Sequence, residues 1–178
     1  MKMFRKFLTK FLFLLSFGVT CAQATTLSYS TTQLGEHRWR YDYTIHNDSL
    51  SQSLQEFTIY FNEKMFANLV DESTVAGWDL LLIQPDSGIP AAGFLDGLAL
   101  GEGIAAGASL AGFSVSFDYA GLGLPERQPF SIVDPATFVE IDSGLTDSAA
   151  IPLPGTLGLV GLGLAAGVLQ RRRNGGAR

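Results

Sequence analysis

The chain has 178 residues, 47% of them hydrophobic and 16% charged, which suits one folded domain with processed ends and excludes wholesale disorder. A formal net charge of −5 excludes an ordinary nucleic-acid binder, which needs a basic face to neutralise phosphates. One cysteine excludes a disulfide framework and any multi-thiolate metal site, and two histidines leave little for a zinc enzyme.

The charge is unevenly placed. Of the 12 basic residues, Lys2, Arg5, Lys6 and Lys10 open the chain, and Arg171, Arg172, Arg173 and Arg178 close it. Arg38, Arg40, Lys64 and Arg127 are the four between, against 17 acidic residues that all lie from Glu36 to Asp147. An acidic body repels anionic membranes and nucleic acids. Basic ends beside apolar runs are what insertion machinery reads.

The first 24 residues read as a secretory signal peptide. Four positive charges precede an uncharged apolar run from Phe11 to Thr20, followed by Ala22-Gln23-Ala24. That is the tripartite pattern of a cleaved leader, with cleavage expected between Ala24 and Thr25. The apolar run is about half the ~20 residues a membrane span needs. Gly18-Val19-Thr20 is a poor approach to a lipidated Cys21, so Cys21 is expected to leave with the leader. The mature chain would start at Thr25, without cysteine, and tolerate an oxidising exterior.

Residues 25–150 read as one secreted domain of strands and turns, long enough to bury a core. Leu27 to Thr31 is the first short strand. Trp39, Tyr41, Tyr43 and Ile45 alternate with Arg38, Arg40, Asp42 and Thr44, the clearest period-two strand in the chain. Asn47-Asp48-Ser49 is turn chemistry rather than a used glycosylation sequon. Phe57 to Phe61 is the next strand, and Phe66 to Val70 is expected as one short helix. Trp78 to Ile83, ending before Pro85, is expected as a buried strand. The Gly/Ala-rich stretch 88–124 is expected as loops and edge strands; Gly101-Glu-Gly-Ile-Ala-Ala-Gly107 has neither the spacing nor the lysine of a phosphate loop. Within it, Phe113, Val115, Phe117 and Tyr119 alternate with polar residues. Phe130 to Val133 and Phe138 to Ile141 close the domain, and 142–150 is expected as a short polar linker. About seven short strands separated by turns predict an all-β, antiparallel, immunoglobulin-like β-sandwich.

Candidate chemistry in this body is thin. His37 and His46 have opposite parity on one strand, so they should face opposite sides and share no metal. Asp71-Glu72 and Asp96 to Glu102 could offer oxygens to calcium, but no D-x-D-x-D-G loop occurs. Trp39, Tyr41 and Tyr43 could stack on sugar rings if exposed; as an inward face they are core. No Gly-x-Ser-x-Gly elbow appears, so the chain is read as a non-enzyme without cofactor or metal.

Ile151-Pro152-Leu153-Pro154-Gly155-Thr156 opens the last segment, and residues 151–169 form 19 uncharged positions, enough for a transmembrane helix over about 155–170. Arg171-Arg172-Arg173 follows as a cytoplasmic membrane stop, which leaves the body facing outward. Five glycines between 155 and 167 make a poor helix in water, and Gly163 to Gly167 has the GxxxG spacing of packed spans.

A proline motif, a Gly/Leu/Ala span and a terminal arginine cluster together resemble the PEP-CTERM sorting domain over residues 151–173. Leu153 stands where the namesake motif has glutamate, which resembles a Pro-Leu-Pro-Gly-Thr variant of that domain. The resemblance implies a Gram-negative producer of exopolysaccharide. It further implies transit of the inner membrane and processing near the proline motif by an exosortase, while the leader makes signal peptidase the other expected processing partner. Leu153-Pro154-Gly155-Thr156-Leu157 also resembles the LPxTG sortase signal, with leucine in place of its last glycine. Either implies a surface or matrix protein with a structural or adhesive role. The alternatives are a carbohydrate-binding module of the exopolysaccharide matrix, with Trp39 or Trp78 as its stacking residue, or a sortase-type wall-anchored protein.

Overall fold

The computed structural model describes residues 25–149. Ten strands follow in order: β1 (Thr26–Gln33), β2 (Arg38–His46), β3 (Glu56–Phe61), β4 (Phe66–Asp71), β5 (Trp78–Ile83), β6 (Gly93–Ala99), β7 (Ser109–Tyr119), β8 (Pro129–Asp134), β9 (Val139–Leu145) and β10 (Asp147–Ser148). They form two five-stranded sheets, ordered β10-β1-β2-β7-β4 and β5-β6-β3-β8-β9. All seven expected strands are present, and the described fold is all-β.

The centre of the first sheet follows from alternation. In β2, Trp39, Tyr41, Tyr43 and Ile45 are buried while Arg38, Arg40, Asp42, Thr44 and His46 are half-exposed. In β7, Phe113, Val115, Phe117 and Tyr119 turn inward, with Tyr43 opposite Phe113 and Trp39 opposite Phe117. The ladder skips one residue where Thr44 pairs with Ala111. The extra residue is Gly112, at φ 109°, a conformation that side-chain-bearing residues rarely adopt. Beyond this bulge the buried Ile45 lies opposite Leu110, which packs against the core.

The second sheet meets that face with Phe57, Ile59 and Phe61 of β3, Leu95 of β6, and Phe130 and Ile132 of β8, all buried. Rings interlock across the interface. Phe57 stands edge-on to Phe113 at 4.9 Å between centroids, and Phe61 edge-on to Phe66 at 5.5 Å. Each such side chain contributes about 1.5–3 kcal/mol by leaving water, and edge-to-face pairs add roughly 0.5–1.5 kcal/mol.

Four expectations are corrected. Phe66 to Val70 is not a helix but part of β4. Asn68 adopts φ 51°, and the ladder to β7 slips between Ala67 and Val70. Phe66 and Leu69 therefore both point inward three positions apart, which imitates helical spacing. Trp78 to Ile83 is not fully buried: β5 is an edge strand with Trp78, Leu80 and Leu82 against the core and Leu81 and Ile83 exposed. The Gly-rich β6 is not an edge but lies between β5 and β3. Its glycine has a packing reason, since a Cβ on Gly97 would lie 2.6 Å from the Phe57 ring. The polar stretch from 142 does not act as a free linker, because β9 runs to Leu145 and β10 takes Asp147–Ser148. Polar edge strands lack the apolar alternation that marks a strand in sequence.

Candidate functional site

Arg127 and Gln128 lead into β8, and Thr146 joins β9 to β10. The two meet in a buried polar clasp. Thr146 is fully buried and Gln128 nearly so. The Gln128 amide donates to Thr146 Oγ1 at 2.9 Å, and the Thr146 amide donates to the Gln128 carbonyl at 2.8 Å. Thr146 Oγ1 donates to Gln128 Oε1 at 3.3 Å. Tyr43 reaches the same Oε1 at 3.2 Å, while Gln128 Nε2 donates to the Tyr41 hydroxyl at 2.7 Å. Tyr41 in turn donates to the Glu126 carbonyl at 2.7 Å, and Gln128 Nε2 also donates to that carbonyl. Burial pushes both tyrosine hydroxyls well above their ordinary range, so each stays a neutral donor. On the solvent side, Arg127 Nε donates to the Thr146 carbonyl at 2.7 Å, and its guanidinium pairs with Asp147. The clasp fixes the backbone a few residues before the proline motif.

At the other end, Thr25 is buried, 3% exposed. Its amide donates to Asp142 Oδ2 of β9 at 3.0 Å. Its hydroxyl lies 2.8 Å from Ser49 Oγ, which itself donates to Asp142 Oδ2 at 3.3 Å. Thr25 is the one predicted signal-cleavage residue that the structure describes.

The outer face of the first sheet is polar. Arg40 pairs with Asp42 at 3.1 Å and approaches Glu72 at 3.8 Å; Ser114 Oγ donates to Asp42 Oδ1 at 2.7 Å. With Ser30, Thr44 and Thr74 these groups line an open trough of about 370 Å³. Nearby, Arg38 binds Asp118, Ser116 and the Asn68 carbonyl. The hydrogen bond from Asn68 at 2.6 Å, then Arg38, hold the Asp118 carboxyl below its ordinary range.

The other sequence candidates scatter. His46 hydrogen-bonds with Ser28 at 2.9 Å and Ser109 at 2.7 Å on the outer face; His37 is exposed in the turn before β2, 3.9 Å from Glu36. Trp39, Tyr41 and Tyr43 are core, not a stacking platform. Trp78 is half-buried against Phe57 and Phe113, with centroids at 5.6 and 5.3 Å. Asp71 caps the Ser73 amide at 2.9 Å, and Asp96 accepts from Thr58 at 2.6 Å. Among the described residues no group of three or more His, Cys, Asp or Glu side chains is placed to hold a metal. Asn47 is fully buried, its amide nitrogen donating to the Gln52 carbonyl at 2.8 Å within its own turn and to the Ile104 carbonyl at 2.9 Å, which ties that turn to a distant loop.

Sequence reasoning missed Gln128, Thr146, Asp142 and Ser49. Their partners lie 18 to 117 positions away, and no local pattern marks such pairs. Ala22, Ala24, Pro152, Leu153, Pro154, Gly155, Thr156, Arg171, Arg172 and Arg173 lie outside the described residues, as does the expected span. Among the described residues no helix is long and apolar enough to cross a membrane.

Comparison with known proteins places the PEP-CTERM protein-sorting motif on residues 150–173, so the chain carries that sorting domain at its C-terminal end. No curated protein matches the chain. Among solved structures, the chain is similar to the inactive mutant of a GH20 exo-β-N-acetylglucosaminidase from Vibrio harveyi. Identity is 16% and the TM-score 0.41, over 74% of this chain and 19% of that one. The same enzyme with N-acetylglucosamine matches at 14% identity and TM-score 0.39, over 74% and 19%. The chain thus spans about a fifth of the length of these glycosidases. The chitin-binding domain of Chi18aC from Streptomyces coelicolor matches at 20% identity and TM-score 0.35, over 60% of this chain and 90% of that domain. None of these likenesses bears on what the body binds.

Proposed function

We propose that this chain is an exported surface or matrix protein of a Gram-negative bacterium, delivered through its PEP-CTERM segment to an exosortase, with a structural or adhesive role. The observation that carries the reading is the sorting motif on residues 150–173. Its surroundings support it. The acidic body is fastened by the clasp at Thr146, a few residues before the sorting segment begins in sequence. The leader pattern before Thr25 and the arginine stop after Leu169 ask for the same topology, body outward. The Pro152-Leu153-Pro154-Gly155-Thr156 version of the motif is the form we assign to the processing enzyme.

The immunoglobulin-like type belongs to the same proposal. Its support is strand order: β1-β2-β7-β4 reads as the A-B-E-D sheet, and β3-β8-β9 as C-F-G. The hairpin β5-β6 extends the second sheet. The test is fractionation of a producing strain with and without its exosortase. The expected result is a shorter, surface-exposed or released form in the first and a longer, membrane-retained form in the second. Identical mass and location in both strains refute the assignment.

One observation favours a second reading, carbohydrate binding. The outer trough presents Arg40, Asp42, Glu72 and Ser114, charged and hydroxyl groups suited to sugar hydroxyls. Retention on an acidic or neutral polysaccharide, lost in R40A with the fold intact, would support it. No retention on any glycan of a broad panel would remove it.

A further inference from the structure

We propose that Asp142, with Ser49, is a dock for the free α-ammonium group of Thr25, so that removal of the leader completes an ion pair joining the two sheets. This rests on the reading that the leader is cut at the Ala24–Thr25 bond. A threonine just before its first strand is ordinarily wet, yet Thr25 is 3% exposed and both its nitrogen and its hydroxyl are engaged. The nitrogen faces Asp142 Oδ2 at 3.0 Å. Asp142 Oδ1 is held by the Ser143 amide at 2.9 Å, and Ser49 Oγ sets the other oxygen at 3.3 Å. Among the described residues no Lys, Arg or His pairs with this half-buried carboxylate. Beyond position 10 the only lysine is Lys64, so the chain offers few other cations.

Cleavage supplies the missing charge. Signal peptidase adds water across the Ala24–Thr25 amide: hydroxyl goes to the Ala24 carbonyl carbon, and the C–N bond breaks with a proton to nitrogen. At neutral pH the new acid's proton also ends on that nitrogen. The leader leaves as a carboxylate and Thr25 keeps an ammonium. One of its N–H groups keeps donating to Asp142 Oδ2, as the amide N–H does in the structure. An ammonium–carboxylate hydrogen bond is roughly twice as strong as one between neutral partners. The gain falls on β9, an edge strand whose described backbone pairing is with β8 alone. Leader removal thereby tightens the joint between the start of β1 and β9.

The test uses protein exported with its leader and recovered processed, in a K64R background that leaves the α-amine as the reactive amine. Intact mass first establishes the start. The protein is acetylated while unfolded, refolded, and compared with its free-amine form by urea denaturation. The expected result is an unfolding equilibrium constant raised about five-fold by acetylation, with less than two-fold in D142N. The effect in the unsubstituted dock should also shrink, though only in part, as salt is raised to about 1 M, because a partly buried pair is screened less than an exposed one. That second reading needs no change at Asp142. With a confirmed Thr25 start, an acetylation effect that is absent, equal in D142N, or insensitive to salt overturns the dock and leaves the leader reading intact. A start elsewhere overturns the leader reading first.

Discussion

Replacing Thr146 by valine isolates the clasp from packing, because the two side chains have nearly the same shape. Thr146 is fully buried, so no water can stand in for its hydroxyl. In T146V the Gln128 amide loses the acceptor it now has at 2.9 Å. A buried donor left without a partner costs about 1–3 kcal/mol. Gln128 Oε1 also loses a donor but keeps Tyr43 at 3.2 Å, so that side adds little. The expected loss is about 2 kcal/mol, or roughly 6–10 °C in Tm for a domain of this size. T146S keeps the hydroxyl and drops one methyl, and should lose no more than about 1 kcal/mol. Urea denaturation followed by tryptophan fluorescence gives both values if the m-value is unchanged. T146V within about 0.5 kcal/mol of wild type, or T146S as damaging as T146V, would refute the hydrogen-bond argument.

Phe113→Ala removes a fully buried ring that meets Phe57 at 4.9 Å and Trp78 at 5.3 Å, and should cost about 3–5 kcal/mol by the same assay; a loss below about 1 kcal/mol would mean the sheets do not meet there. Alkaline titration should unfold the body as a unit. Burial raises the hydroxyls of Tyr29, Tyr41, Tyr43 and Tyr119 in the folded state, so their contribution is whole below the unfolded value near 10 and is lost as pH climbs above it. Tyrosinate absorbance and loss of the β-sheet circular dichroism signal should rise together, with a shallower pH slope in Y43F. Ionisation of these tyrosines below about pH 10 with the β-sheet signal intact would contradict the burial.

The chain's legibility followed the physics of each element. Strand β2 could be read because one face is buried and the other wet, which writes period two into Trp39-Arg40-Tyr41-Asp42-Tyr43. The same rule failed at β4, where Asn68 in the left-handed region shifts the alternation by one. It misplaced β5, whose Leu-Leu-Leu-Ile run looks doubly buried but has one exposed face at the sheet edge. Glycines in β6 looked like loop residues because sequence shows their freedom and not the Phe57 ring beside them. The polar contacts at Thr25, Asp142, Gln128 and Thr146 were invisible for a different reason. They join residues that only the completed sandwich brings together. The sorting segment needed no fold to be read, since its apolar length, prolines and arginines act on membrane machinery as a linear pattern.

The most direct test of the central claim is the intact mass of the protein taken from the native envelope or medium. Export and sorting predict a species that starts at Thr25 and ends near Pro154, with added mass at the new C-terminus if it is transferred to an acceptor. A stable species that keeps the apolar segment and Arg171 to Arg173 would contradict processing at the sorting motif.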